Sequence, residues 1–170
     1  DFGKVGGKYW NYNAGFKWVS PELELNDIGF LRNSDDITQF VNLEYRIIKP
    51  VMVFRDFSIQ IGQFSKHDFG GNHNRLQYDL NTDIRFINNW TLDLGGGYRP
   101  VNYFNSTLRG GPRWRISKTG WQYFFIGSDS RKEFYFRTGA IISQWKENES
   151  SLFKIEAELN YQPSNALNIS

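Results

Sequence analysis

The chain has 170 residues, enough for one domain, and a net charge of +2, too small to argue for nucleic acid as a partner. It has no cysteine, which excludes a disulfide scaffold and thiolate metal sites. No run approaches the ~18 apolar residues of a membrane helix. The 39% hydrophobic content would suit a soluble protein or a membrane β-barrel, because a barrel alternates apolar and polar residues.

Residues 8–19 read as the first strand. Trp10, Tyr12, Ala14, Phe16 and Trp18 share one face, and Tyr9, Asn11, Asn13, Gly15 and Lys17 the other. That period of two belongs to a ribbon with one dry and one wet side. Residues 20–36, rich in Pro, Asn and Asp, read as a connection. Residues 37–47 give the second strand, with Val41, Leu43, Tyr45 and Ile47 opposite Thr38, Asn42, Glu44 and Arg46; Phe40 interrupts the polar row. After a turn at 48–50, residues 51–63 give the third, with Val53, Phe57, Ile59 and Ile61 on one side. Arg55 intrudes on that row. Near a strand end it can reach toward headgroups, whereas at mid-depth it would cost about 2–4 kcal/mol.

A loop over 64–74 precedes the clearest stretch, 75–99. Arg75, Gln77, Asp79, Asn81, Asp83 and Arg85 alternate with Leu76, Tyr78, Leu80, Thr82, Ile84 and Phe86. Asn88 and Asn89 turn the chain, and Trp90, Leu92, Leu94 and Tyr98 return opposite Thr91, Asp93 and Arg99. Each leg is about 9–12 residues, longer than the usual ~5–6 and close to the ~9–11 that a tilted strand needs to cross a bilayer. Residues 100–106 read as a loop and 107–117 as a strand, with Leu108, Pro112, Trp114 and Ile116 against Arg109, Arg113 and Arg115. Pro112 suggests a bulge or an edge there. In 121–128 both faces are partly apolar. Trp121, Tyr123 and Phe125 read as the greasy row, with Gln122, Phe124 and Ile126 on the lumen side. Residues 133–145 place Phe134, Phe136, Ala140 and Ile142 opposite Arg137; residues 152–162 place Phe153, Ile155, Ala157, Leu159 and Tyr161 opposite Lys154, Glu156, Glu158 and Asn160. A further strand begins at 167.

The expected fold is therefore all-β: an antiparallel up-and-down meander of about nine to ten strands forming part of a transmembrane β-barrel, over residues 1–170. Trp18, Trp90, Trp114, Trp121 and Trp145 fall at predicted strand ends, where amphipathic rings suit a water–lipid boundary, and only Trp10 falls nearer a middle. Connections after the even-numbered predicted strands are short, which would place them on the periplasmic side. No signal peptide is present, and the abrupt start at Asp1 makes a fragment of a longer chain the expectation.

The segment Ser-Pro-Glu-Leu-Glu-Leu-Asn-Asp-Ile-Gly-Phe-Leu-Arg at 20–32 resembles a signature of the barrel domain called domain of unknown function 5916. Ser20, Pro21, Glu22, Asn26, Asp27, Gly29 and Phe30 carry the likeness. Arg109-Gly110-Gly111-Pro112 and Ser128-Asp129-Ser130-Arg131-Lys132 are similar to further motifs of that family. The resemblance implies an outer-membrane location in a Gram-negative bacterium and a longer parent chain. In the family the barrel typically follows a module similar to family 9 carbohydrate-binding modules, which this chain lacks. It carries over no catalytic residue.

Candidate chemistry is sparse. His67, Asp68 and His73 could offer three ligands to a metal, but the ligand spacing is weak and ordinary loop residues are the better reading. Asp83 and Asp93 point the same way and could do acid–base work if one pKa were raised, yet Arg85 one rung away favours an ion-pair network. Asp79, Asp83, Arg85, Asp93, Arg109, Arg113, Arg115, Glu156 and Glu158 are the expected lumen charge network. The basic row Arg109, Arg113 and Arg115 could tune a pore for anions or pair with neighbouring acids. Gly95-Gly96-Gly97 lacks the Lys-Ser/Thr and helix of a phosphate loop and marks close backbone approach instead. No enzyme activity, metal or cofactor is expected. The expected job is to span the bilayer and shape a packed or plugged lumen, for transport, export or surface binding. The partners would be outer-membrane lipid and other outer-membrane or periplasmic proteins, with no nucleic acid. The alternative is a soluble β-sandwich that binds carbohydrate.

Overall fold

The computed structural model describes residues 1–23, 35–104, 112–164 and 167–169. Among them there is no helix. The elements are β1 (Phe2–Lys4), β2 (Trp10–Val19), β3 (Asp36–Ile47), β4 (Phe54–His67), β5 (His73–Phe86), β6 (Thr91–Phe104), β7 (Trp114–Arg115), β8 (Thr119–Gly127), β9 (Phe134–Trp145), β10 (Ser150–Ser164) and β11 (Leu167–Ile169). They form one antiparallel sheet in the order β1-β2-β3-β4-β5-β6-β8-β9-β10-β11, with β7 paired to β6 off this path. The meander is the expected one. The sheet is open, with β1 and β11 at its edges.

Register carries each strand's alternation across the whole sheet. Leu80 lies between Ile61 and Gly96, Ile84 between Phe57 and Leu92, and Phe124 between Leu94 and Ala140. These make an apolar face. On the other side, Asn81 lies between Gln60 and Gly95, and Asp83 between Ser58 and Asp93. The burial of the two faces inverts the usual order. Leu80 is 50% exposed, Ile61 56%, Phe153 63% and Ile155 67%. Phe125, on the polar face, is the sole buried hydrophobic among the described residues, and Asn11, Asn102 and Thr119 are buried polar residues of that same face.

Several elements differ from the sequence reading. Strand β1 was not expected. The predicted loop over 64–74 shrinks to 68–72, because Phe64 and Lys66 continue the ladder opposite Phe40 and Thr38. The predicted loop over 100–106 is strand as far as Phe104. Arg99 and Pro100 fall in a bulge where the β5–β6 register slips between Leu76 and Tyr78, which absorbs the missing proline donor. The predicted strand over 107–117 is not formed as such. Residues 105–111 lie outside the described residues, and of 112–118 only Trp114–Arg115 is strand. Strand β8 therefore pairs directly with β6. Its faces are also the reverse of those expected. Phe124 and Ile126 join Leu94 and Leu92 on the apolar face, and Trp121, Tyr123 and Phe125 turn to the polar one. Arg55 lies in a bulge at the start of β4, at the strand end, and donates to Asn89 Oδ1.

The connections alternate between two ends. One end carries the longer segments, 20–35 and 105–118, with 68–72 and 146–149; the other carries 48–53, 87–90 and 128–133. At the second end the turn 87–90 is closed by Asn89 at φ 63°, a left-handed conformation that Asn tolerates, and by Asn88 Oδ1 accepting from the Trp90 N–H at 3.2 Å. Above these turns a belt of rings runs across the apolar face. Trp10 meets Tyr45 at 4.8 Å between centroids, Tyr45 meets Phe57 at 6.2 Å, and Phe57 meets Phe54 at 5.8 Å. Phe54 meets Phe86 at 5.8 Å, and Trp90 meets Phe136 edge-on at 5.5 Å. Trp121 is outside this belt: it lies near the start of β8, at the opposite end of the sheet, and its register puts it on the polar face.

Candidate functional site

The polar face is where side chains of unlike charge converge. Two features of the sequence build it. First, small residues on one strand make room for rings from the next. A Cβ at Gly95 would lie 2.4 Å from the Tyr123 ring, at Gly97 2.3 Å from Trp121, at Gly139 2.4 Å from Phe125, and at Gly15 2.2 Å from Phe40. Each ring therefore lies flat over a glycine backbone, an arrangement that covers weak glycine stretches with aromatic surface. This also explains Phe40, which interrupted its polar row.

Second, charged groups link strands across the rings. Arg137 on β9 pairs with Asp93 on β6 at 2.9 Å, and its guanidinium lies 4.3 Å from the Phe125 ring centroid. Asp83 and Asp93 point the same way, as expected, and are register partners, but Arg85 does not serve them. Arg85 pairs with Asp56 at 3.2 Å, and Asp83 accepts from the Ser58 hydroxyl at 3.4 Å. Asp79 accepts from Gln77 Nε2 at 2.9 Å through both oxygens. Tyr123 donates to Asn81 Oδ1 at 2.8 Å. Glu44 accepts from Asn11 at 2.7 Å and from Gln60 at 3.4 Å. Glu156 pairs with Lys154, and Glu158 lies opposite Arg137 on β10.

The predicted basic row does not join this network. Arg113 donates to Asn74 Oδ1 at 3.2 Å beside the Tyr103 ring, and Arg115 pairs with Glu147 at 2.9 Å, both at the long-connection end. Arg109 lies outside the described residues, as do Asn26, Asp27, Gly29 and Phe30 of the quoted motif. The start of that motif is a turn, in which the Glu22 N–H donates to Ser20 Oγ at 3.2 Å next to Pro21.

His67 and His73 stack on each other at 4.2 Å and share Ser65, whose hydroxyl lies 3.0 Å from His73 Nε2. Asp68 turns away to the Asn72 N–H at 2.8 Å. Burial pushes the Asp68 carboxyl up, but the hydrogen bonds from Asn72 and Asn74 and the Arg113 charge outweigh it and hold its pKa below the ordinary value. Among the described residues no group of His, Cys, Asp and Glu is arranged to hold a metal ion. At the other end Asp129 is gripped by Arg131 through two side-chain bonds of 2.9 and 2.8 Å and the Arg131 N–H at 3.0 Å, which hold its carboxyl well below the usual range. Asn89 links this turn to the neighbouring hairpin through Asp129 Oδ2 at 3.4 Å.

Sequence reading missed Arg137 as the partner of Asp93, the Arg75–Gln77–Arg99 group, and the three rings of β8. The available signal was the row of glycines at 95, 97 and 139, which only register turns into seats for those rings.

These features define a class: an all-β antiparallel meander whose linked polar groups line one face while its apolar face is left bare. The particular family follows from the whole chain. Residues 1–170 match the family described as Domain of unknown function (DUF5916), and the chain belongs to it. No curated protein and no solved structure matches the chain.

Proposed function

We propose that this sheet is part of a transmembrane β-barrel in the outer membrane of a Gram-negative bacterium. The bare face meets acyl chains and the polar face lines a packed interior. The observation that carries the reading is the inverted burial. Leu80, Ile61, Phe153 and Ile155 are half or more exposed, while Asn11, Asn102 and Thr119 on the polar face are buried. In water, leaving one such apolar side chain bare forgoes about 1.5–3 kcal/mol of burial, and a monomer rarely exposes a contiguous apolar patch beyond a few hundred Å². In a bilayer the same face is satisfied by lipid.

Two further observations support it. The eight long strands run from 9 residues in β8 to 15 in β10, enough to cross a hydrocarbon core at a tilt. The ring belt from Trp10 to Phe86 lies at one end of the apolar face, where aromatic girdles suit the water–lipid boundary. The short turns beyond that belt would face the periplasm. Glycine-seated rings and ion pairs on the polar face favour a filled interior over an open channel. The segment acts as a scaffold in this reading, serving transport, export or surface binding by the whole protein.

Cell fractionation of the full-length protein tests this. Recovery in the outer-membrane fraction, with release only by detergent, is the expected result. Recovery in buffer without detergent would instead favour a soluble sheet that buries its apolar face against another layer, such as a carbohydrate-binding β-sandwich.

A further inference from the structure

We propose that Arg75 and Arg99 form a binding site for an oxyanion, the phosphate or carboxylate group of a solute. The two arginines stand on adjacent strands of the polar face. Arg75 Nη2 donates to Gln77 Oε1 at 2.6 Å, and Arg99 donates to the same oxygen through Nε at 3.0 Å and Nη2 at 2.7 Å. Two positive groups thus converge on one neutral acceptor. A guanidinium brings five N–H donors in a planar fork, so the pair has far more donors than this oxygen can satisfy. The Arg75 Nε is buried with no acceptor at all. Among the described residues no carboxylate lies within ion-pair distance of either group, whereas Arg85 and Arg137 on the same face each have one.

The surroundings hold this surplus in place. The Gln77 amide separates the guanidinium groups from Asp79, because its nitrogen occupies both carboxylate oxygens. Arg75 is stacked 5.4 Å from the Phe64 ring and Arg99 5.4 Å from the Trp121 ring, so both planes are fixed from behind. A recess of about 350 Å³ opens beside Arg75, lined by Phe40, Asn42, Phe64, Gln77 and Asp79. Room beside Arg75, fixed forks and a surplus of donors over acceptors together suit a group with two or three acceptor oxygens, which forks bind bidentately. The site rests on the polar face alone and not on the membrane reading, so either can fail without the other.

The test is titration of the detergent-solubilised full-length protein with inorganic phosphate, followed by calorimetry and by the fluorescence of Trp121, which Arg99 covers. Expected is saturable binding that chloride at matched ionic strength does not reproduce. Acetate in place of phosphate separates the two ligand groups: tighter phosphate binding assigns a phosphoryl solute, tighter acetate binding a carboxylate one. The double variant Arg75→Gln/Arg99→Gln should bind roughly tenfold or more weakly. Arg115→Gln, at a rim residue paired with Glu147, should bind as the parent does. Arg75→Lys and Arg99→Lys keep the charge but lose the fork, and should also weaken binding; they serve if the double variant does not fold. Absence of saturable binding to both anions, equal competition by chloride, or unchanged affinity in the arginine variants would overturn the proposal.

Discussion

The two faces of this sheet solve opposite problems with the same strands. On the polar face, Asp93 is tied to Arg137 and Asn81 to Tyr123, each pair reaching past an intervening strand, and rings fill the space above glycines. On the apolar face, Leu80, Phe124 and Ile142 present 50%, 45% and 42% of their surface to whatever surrounds the molecule. A water-soluble sheet keeps its specific polar contacts on the wet side and its tight packing on the dry side. Here the tight packing is on the wet side. The difference teaches that register is fixed from the polar face, and that the apolar face needs only to be uniformly greasy.

The largest effect that could break this comparison is a charge in the middle of the bare face. Leu80→Arg should destabilise the protein folded in lipid vesicles by about 2–4 kcal/mol, read from denaturant titration. The neighbouring Asn81→Arg, on the polar face, should cost well under half of that. Equal costs would erase the distinction between the faces.

Next comes the packing of rings on glycine. Gly95→Ala puts a methyl 2.4 Å from the Tyr123 ring and should cost about 1–3 kcal/mol, with loss of the Tyr123–Asn81 bond. Adding Tyr123→Ala should recover part of that cost, and a double-mutant cycle measures the coupling. A cost that simply adds would mean that the ring does not use the glycine seat. Smaller still is the Asp93–Arg137 pair. Its side chains are about a quarter and a third exposed, 26% and 35%, so solvent screens it, and Asp93→Asn should cost about 1 kcal/mol in the same titration.

The smallest effect lies outside both faces, in the turn after β8. Arg131 lowers the Asp129 pKa from its ordinary 3.8, so the turn's ion pair adds stability above the unfolded carboxyl value. That contribution is lost only as pH falls through the lower folded value. Chemical shifts of the Asp129 carboxyl should thus show it still ionised near pH 4, and Asp129→Asn should remove this part of the acid dependence of melting. Titration at the ordinary carboxyl value would show the turn open.

Much of this arrangement is legible in the residues. Strands β2, β5 and β10 alternate cleanly enough that period two assigns both faces. Strand β8 does not, because Trp121, Tyr123 and Phe125 are as apolar as Phe124 and Ile126; its facing is decided by glycines on β6 and β9, which are remote in sequence. The extensions of β4 and β6 were hidden for a different reason. Ser65, His67 and Asn102 are polar, and Pro100 signals a break that a bulge instead absorbs. Residues 112–118 alternate like a strand, yet β6 has already given its free edge to β8, leaving room for only the short β7 pairing. Partners within the polar network were the least legible. Asp93 has Arg85 one rung away by sequence logic but takes Arg137 from two strands over.

The most direct measurement is the depth and polarity sensed by each face in a bilayer. The chain has no cysteine, so nitroxide labels at single introduced cysteines report individual positions. Labels replacing Leu80, Leu92 and Ile155 in protein reconstituted into phospholipid vesicles should collide readily with oxygen and poorly with a water-soluble nickel chelate, while labels at Asn81, Asp93 and Glu156 should show the reverse or reach neither. Free access of the nickel chelate to positions 80, 92 and 155, or their exclusion from both reagents, would contradict contact with acyl chains.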